Sequence, residues 1–421
     1  MDLIALLLFI AVILVSFFRK SNAGLLALAV GAIAVRIFSL SDKDLIGAIS
    51  SSMFTVLAGI TLLFVAVNST GALELLAKKI VALAGNRVWV IPIAIYAAGF
   101  IVAGIGPGAI PALAIIPGIA VSVASATGYD PLMMALIGEC GLMAGRMTPI
   151  TPEGALITEV AAGAGIENVM PTILVSKTLV TIVFSIVLFI IFKGYKVKEV
   201  QNQTDLQATE PFNTKQLIAL FSIVLMMILL IFFKVNIGLA AFISASLLFV
   251  LGIADDGACV KAMPWSVILL VLGVGALLGI VDAVGGIELM SNALSSIMTS
   301  FTATPIMGIS AGLLSMVSSA LGVVYPTMMP MCPTIASNLG NVHPVALMAA
   351  VGTGGSLSGI TPLSTGGALA LAAMGANLRD FDKEKENKAF VQLFIMAAVG
   401  LLITAVVSAL FYNPIANLMM G

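Results

Sequence analysis

Two stretches decide the fold of this chain: GRMTPITPEG at residues 145–154 and SGITPLSTGG at residues 358–367. Each carries a Thr-Pro pair flanked by glycines and lies inside a long apolar run. Proline removes a backbone donor and blocks a helix, while glycine permits almost any backbone conformation. We therefore predict two interrupted helices. In hydrocarbon, such a break survives only where protein, water or a ligand satisfies the freed backbone groups.

The rest of the sequence is typical of a polytopic membrane protein. Of its 421 residues, 60% are hydrophobic and 9% are charged, with a mean hydropathy of +1.17, whereas soluble domains carry about 25% charged residues. The net charge of −1 leaves no basic excess to attract nucleic acid. Three dispersed cysteines and one histidine form no metal or catalytic motif. We expect no enzyme activity and no cofactor.

The second half of the chain repeats the first. An offset of 214 relates Asn22 and Gly24 to Asn236 and Gly238, and an offset of 213 relates Thr148-Pro149 to Thr361-Pro362. Matching polar and proline residues at one register indicate an internal duplication.

Each repeat is predicted to hold five spans and a re-entrant helical hairpin, which makes an all-α membrane fold. The first repeat covers 1–195, with a hairpin at 89–127 and a broken helix at 131–162. A polar linker follows at 196–213. The second repeat covers 214–421, with a hairpin at 303–338 and a broken helix at 344–378.

An odd number of spans per repeat predicts that the two repeats are inverted in the bilayer. Lys and Arg collect in cytoplasmic loops. Fourteen of them fall on one predicted face, and only Arg36, Lys43 and Lys234 fall on the other. The sequence therefore predicts a bacterial inner-membrane protein with both termini outside the cytoplasm.

The two breaks and the two hairpin tips are predicted to form one site at the bilayer midplane. Half-helix N-termini attract anions, and loosened carbonyl groups bind cations. The residues expected to contact a small anionic substrate are Gly106, Gly108, Arg146, Thr148, Ser319, Thr361, Pro362, Ser364 and Thr365. Those expected to contact a cation are Gly104, Gly145, Thr151, Gly154, Ser318, Ser358 and Gly367.

Ionisable groups in this apolar setting are functional candidates, because a charge at the bilayer centre costs about 2.5 kcal/mol or more. Arg146 either meets a substrate carboxylate or pairs with Glu153 or Glu139 in a neutral network. Glu153 is also a candidate to carry a coupling proton. Glu139 is predicted to be a hydrogen-bonded acid in the bundle interior.

Three segments resemble a known family, the MatC-type malonate and dicarboxylate carriers. AGRMTPIT at 144–151 and TPLSTGGAL at 361–369 resemble their two signatures, and PWSVILL at 264–270 is similar to the start of their eighth span. A more distant similarity extends to the divalent anion:sodium symporters. The resemblance implies a homodimer with a fixed scaffold and a moving transport domain, which carries C3/C4 dicarboxylates with Na⁺ by an elevator motion.

Two features depart from that pattern. The Ser-Asn-Thr motif of the divalent anion symporters is missing from both hairpin tips, and Arg146 stands where MatC-type carriers tend to have a small residue. The alternative is therefore a proton-coupled antiporter or exchanger of an organic or inorganic oxyanion.

Overall fold

The computed structural model describes residues 1–85, 87–197, 210–378 and 380–420, and within these ranges the regular structure is helical. Eight helical stretches among them are long and apolar enough to cross a membrane. Most of the predicted linker, at 198–209, lies outside the described residues, as does Arg379 of the predicted cytoplasmic face.

The described residues of the first half form ten α-helices. Their bounds are α1 Asp2–Arg19, α2 Ala23–Ile37, α3 Asp42–Gly47, α4 Ser51–Ser69, α5 Ala72–Ala82, α6 Ile91–Gly104, α7 Ala109–Thr127, α8 Pro131–Gly145, α9 Pro152–Gly163 and α10 Val169–Ile191. Short 3₁₀ turns lie at Val88–Val90 and Gly194–Lys196.

The second half follows the same order. Its helices are α11 Thr214–Ile231, α12 Ile237–Val250, α13 Asp256–Ala262, α14 Trp265–Ala283, α15 Gly286–Ser295, α16 Ala303–Val317, α17 Tyr325–Met328, α18 Cys332–Leu339, α19 Pro344–Leu357, α20 Thr365–Asn377, α21 Lys383–Val407 and α22 Asn413–Met420. π-helical turns lie at Ala320–Val324 and Ser408–Tyr412.

Equivalent residues start equivalent helices in the two halves. The side chain of Asn22 caps α2 by accepting from the amides of Gly24 and Leu25. The side chain of Asn236 caps α12 in the same way through Gly238 and Leu239. An N-cap acceptor satisfies donors that the helix itself leaves free. The duplication read from the sequence is therefore present in the local hydrogen bonding.

Glycines let the two halves interlock reciprocally, α2 against α14 and α12 against α4. A Cβ built on Gly24 would lie 2.1 Å from the carbonyl oxygen of Leu269, and one on Gly238 would lie 2.4 Å from that of Thr55. The offset of 214 that relates the two glycines also relates Thr55 to Leu269. These helices therefore touch backbone to backbone in a pseudo-symmetric arrangement. The inverted orientation in a bilayer stays a prediction.

The helices form two groups. One contains α1–α5 and α11–α15, and the other contains the hairpins and the broken helices. In the second group α6 packs along α8, α16 packs along α19, and α10 lies between α8 and α19. The predicted hairpins and broken helices thus belong to one packed unit.

The second hairpin is less regular than the first. Its returning arm is a π-helical turn followed by the short helices α17 and α18, whereas α7 runs unbroken from Ala109 to Thr127. Pro326 and Pro333 lie in the first turns of α17 and α18, and Pro330 lies between these helices, whereas α7 accommodates Pro117 within its length.

Candidate functional site

Both predicted helix breaks are present. The first separates α8, which ends at Gly145, from α9, which begins at Pro152. The second separates α19, which ends at Leu357, from α20, which begins at Thr365 and is preceded by a single 3₁₀ turn. Both polar segments are largely buried, so the backbone groups that the breaks release require partners within the protein.

One hydroxyl in each break supplies such a partner. The Oγ1 of Thr151 donates to the carbonyl oxygens of Arg146, at 2.5 Å, and Thr148, at 2.9 Å. The Oγ of Ser364 donates to the equivalent oxygens of Gly359 and Thr361. Thr151 also accepts from the amide of Gly154, as an N-cap of α9. These two side chains hold the shape of the breaks in both halves.

A cavity of about 480 Å³ lies where the breaks and the hairpin tips meet, and we call it the central cavity. It contains residues from both halves. Its lining includes Ala109 from the first tip, Arg146 and Glu153 from the first break, Ser318 and Ser319 from the second tip, and Gly359, Ser364, Thr365 and Gly366 from the second break. The predicted meeting of these four segments is therefore a feature of the structure.

Arg146 and Glu153 form a buried ion pair across the first break. Nη2 of Arg146 donates to Oε1 of Glu153 at 2.7 Å, and both side chains are nearly inaccessible. Nε of Arg146 and Oε2 of Glu153 have no hydrogen-bond partner among the described residues. Arg146 therefore keeps Nε as an unpaired donor while its charge is balanced by a neighbour.

Glu153 also joins this pair to the first hairpin. Its Oε1 accepts from the amide of Ala109, the first residue of α7, at 3.3 Å. A Cβ on Gly108 would lie 2.3 Å from Oε2 of Glu153, and the backbone φ of Gly108 is +70°. Only glycine fits at position 108, because any side chain would collide with the carboxylate and strain the backbone.

The remaining predicted residues of the first half shape the site. The hydroxyl of Thr148 donates to the carbonyl of Gly104 at 2.6 Å, which ties the break to the hairpin. Gly106 has a φ of +138° and packs its backbone on the ring of Phe64. Gly145 and Gly154 lie against the carbonyl groups of Phe100 and Thr148, where a side chain would not fit.

In the second half the predicted residues divide between cavity wall and support. Ser318, Ser319, Ser364 and Thr365 line the central cavity. Thr361 is buried, and its hydroxyl has no partner among the described residues. Three others lie in the packed backbone of the break: Ser358 donates to the carbonyl of Gly354, Pro362 is buried, and Gly367 packs against the carbonyl groups of residues 360 and 361.

Lys177 is a buried charge that our sequence analysis did not single out. It is completely inaccessible, and its Nζ donates to the carbonyl of Gly352 in α19 at 3.1 Å. The hydroxyls of Tyr325 and Ser356 donate to the same oxygen. This carbonyl therefore connects α10, the second hairpin and the second broken helix. A lysine inside the apolar run 171–193 was the feature of the sequence that could have revealed it.

Glu139 differs from its prediction. We expected a hydrogen-bonded acid, but its side chain is fully buried and neither carboxylate oxygen has a partner among the described residues. The reason is its place on α8. Its carboxylate points at the first turn of α20, where Gly366 offers no side chain to receive it.

Comparisons with known proteins agree with this architecture. A family model described as CitMHS, citrate transporter, matches residues 4–352. MtrF of Neisseria gonorrhoeae, described as one of a class of antimetabolite efflux pumps, is 11% identical, with a TM-score of 0.60 over 97% of this chain and 94% of that one. The YdaH transporter of Alcanivorax borkumensis is 13% identical, with a TM-score of 0.57 over 97% and 98%. No curated protein matches the chain.

Proposed function

Because the chain belongs to the CitMHS citrate transporter family, we propose that it carries C3/C4 dicarboxylates through the central cavity. The family makes it a multi-pass secondary transporter of carboxylate anions and not an enzyme. The choice of C3/C4 dicarboxylates rests on the sequence resemblance to the MatC-type carriers. Citrate is a second candidate substrate, favoured by the family that the chain matches.

One observation carries the proposal: Arg146, whose guanidinium keeps an unpaired donor, and an uncapped helix N-terminus line the same cavity. Nε of Arg146 has no partner among the described residues. The first turn of α20 receives no side-chain cap, and its residues Thr365 and Gly366 line the cavity. A helix N-terminus carries roughly half a positive charge, and its free amides point at a bound anion. Two such centres, one from each half, suit a ligand with two carboxylates.

We propose that substrate movement is coupled to Na⁺, with the backbone of the two breaks as ligands. The carbonyl oxygens of Arg146 and Gly359 accept from the hydroxyls of Thr151 and Ser364. Those of Thr148 and Thr361 accept from the same hydroxyls and also from the backbone amides of Thr151 and Ser364. Such oxygens are suitable ligands for a hard cation. Proton coupling, including exchange of one anion for another, is the alternative, and it is favoured by the buried carboxylates Glu139 and Glu153.

The proposed movement is of the elevator type, in a homodimer in the bacterial inner membrane. The hairpins and most of the broken-helix segments pack mainly on one another, whereas α9 packs also on α4 of the group that contains α1–α5 and α11–α15. Ala109 and Leu321 of the hairpin tips line the cavity together with Val267 of α14. A sliding interface between the two groups would expose the cavity to each side in turn.

Transport in proteoliposomes tests the proposal. Labelled succinate, malonate and citrate are offered in counterflow, which needs no ion gradient, and then under a Na⁺ gradient or a pH gradient. We expect counterflow of the dicarboxylates and accumulation driven by Na⁺. Transport of citrate without transport of succinate or malonate would show that citrate, the second candidate, is the substrate. Protein that is correctly reconstituted yet carries none of the three would overturn the proposal.

A further inference from the structure

The two breaks are equivalent in backbone but not in charge. The offset of 213 that pairs Thr151 with Ser364 also pairs Arg146 with Gly359 and Glu153 with Gly366. The first break therefore holds an ion pair, whereas the second has no side chain at either position. Both helices that follow the breaks, α9 and α20, nevertheless present their N-terminal turns to the central cavity.

A carboxylate from the other half fills the vacant position. A Cβ on Gly366 would lie 2.9 Å from Oε2 of Glu139 and 2.5 Å from the carbonyl oxygen of Gly359. Glu139 thus brings its carboxylate from α8 to the place at which repeat symmetry would put the side chain equivalent to that of Glu153. Both α9 and α20 therefore have a carboxylate at their second residue. In α9 it belongs to that residue, Glu153, and in α20 it is supplied by Glu139 of the opposite half.

Only one of these carboxylates has a counter-charge. Glu153 accepts from Arg146. The oxygens of Glu139 have no hydrogen-bond partner among the described residues, and Gly359 stands where symmetry would give an arginine. An isolated ionised carboxylate in an apolar interior is strongly disfavoured unless it binds a cation or takes up a proton.

The ionisable groups on the neighbouring elements do not provide that charge. Among the helices that pack on α8, α6 carries Tyr96 and α10 carries Lys177, whereas α7, α19 and α20 carry no ionisable side chain. Lys177 donates to the carbonyl of Gly352, and Tyr96 is hydrogen bonded to a threonine hydroxyl. On α8 itself, Cys140 is a free thiol, and Arg146, which follows the helix, is paired with Glu153.

We propose that the carboxylate of Glu139 and the carbonyl oxygen of Gly359 form the coupling-cation site, which binds a proton or Na⁺. The bound cation would take the role in the second break that the charge of Arg146 has in the first. This inference rests on the proposed function. The site is separate from the anion position but adjoins it, since Gly359 and Gly366 also line the central cavity. A bound cation would neutralise Glu139 and so relieve its repulsion of a substrate anion at the N-terminus of α20. By linkage, the anion would equally favour the cation.

Glu139→Gln tests the proposal because it keeps the shape of the side chain and removes its charge. The assays are counterflow and gradient-driven uptake of labelled succinate and citrate, each under a Na⁺ gradient alone or a pH gradient alone. We expect counterflow to persist and accumulation to fall by about tenfold or more, within the usual range of coupling energies. The gradient to which the variant no longer responds identifies the cation. Glu288→Gln, at an exposed position on α15, is the matched control and should behave as wild type.

Other outcomes are equally decisive. A Glu139→Gln protein that accumulates substrate with wild-type gradient dependence would overturn the proposal. Wild-type protein without any counterflow would instead refute the proposed function. If Glu139→Gln does not fold, Gly366→Ala pushes a methyl group between the carboxylate and the Gly359 carbonyl, and the same loss is expected. On purified wild-type protein, substrate should cause proton uptake reported by an indicator dye, or stabilise more in Na⁺ than in K⁺. The absence of both effects would also overturn the proposal.

Discussion

Nη2 of Arg146 donates a 2.7 Å hydrogen bond to Oε1 of Glu153, seven residues further along the chain and on the other side of a helix break. The sequence allowed Arg146 to pair with Glu153 or Glu139, or to meet the substrate. The pair with Glu153 is made and that with Glu139 is not. Arg146 lines the central cavity and its buried Nε has no partner among the described residues, so the ion pair leaves the guanidinium a donor for a substrate.

Replacing Arg146 with Gln should abolish carboxylate binding and strand the buried carboxylate of Glu153. Removing one partner of a buried ion pair costs about 3–5 kcal/mol, so the unfolding temperature should fall as well. Arg146→Lys keeps the positive charge, so its stability should be closer to wild type than that of Arg146→Gln. Its affinity for the carboxylate should stay low, because lysine lacks the planar guanidinium that binds a carboxylate through two donors. Thermal unfolding and calorimetric titration with succinate measure the two effects separately. Unchanged affinity in Arg146→Gln would remove this residue from the site.

Glu153→Gln separates a structural role from a coupling role. The carboxylate accepts from Arg146 and from the amide of Ala109, so its neutralisation should lower thermal stability by an amount similar to that of Arg146→Gln. We expect the remaining transport to keep its wild-type pH profile. The profile of counterflow between about pH 5 and 8 is the measurement. A shifted profile would make Glu153 the proton carrier, as the sequence suggested.

Thr148→Val and Thr361→Val should differ in stability although both reduce transport. The Thr148 hydroxyl donates to the carbonyl of Gly104, and its loss should cost about 1 kcal/mol and loosen the first hairpin. The Thr361 hydroxyl has no partner among the described residues, so valine should leave stability unchanged or slightly raised. Thermal unfolding and uptake on the same preparations test this. Two variants with wild-type uptake would show that neither threonine belongs to the site.

Gly24→Ala and Gly238→Ala should destabilise the protein to a similar degree, because each methyl group would enter the backbone of the opposite half. Overpacking of this kind typically costs 1–3 kcal/mol. Gly47→Ala is the control, since a Cβ there meets no atom within 4 Å. Thermal unfolding in detergent gives the comparison. Equal stability of all three variants would contradict the backbone contact between repeats.

The sequence was sufficient to predict the helix breaks, because a proline pair among glycines cannot continue a helix whatever surrounds it. The repeat could be predicted for a similar reason: Asn22 and Asn236 cap equivalent helices through residues two and three positions further along the chain, so the signal is local in the sequence. The family model confirms transport of carboxylate-type anions and leaves the MatC-type assignment a prediction.

Contacts between distant segments could not be predicted in the same way. The carboxylate of Glu139 lacks a hydrogen-bond partner among the described residues because it points at Gly366, far along the chain, where α8 packs against α20. Thr151 and Ser364 were expected to contact ligands, yet their hydroxyl protons are donated to the break backbone, which depends on the exact turn geometry. The irregular returning arm of the second hairpin could not be predicted from its prolines, because α7 of the first hairpin continues through Pro117.

An experimental structure of the protein in nanodiscs with succinate tests the central claim most directly. We predict ligand density in the central cavity, with one carboxylate within hydrogen-bonding distance of Nε of Arg146 and the other at the amides of Thr365 and Gly366. Ligand density elsewhere in the protein, with both of these groups unoccupied, would contradict it.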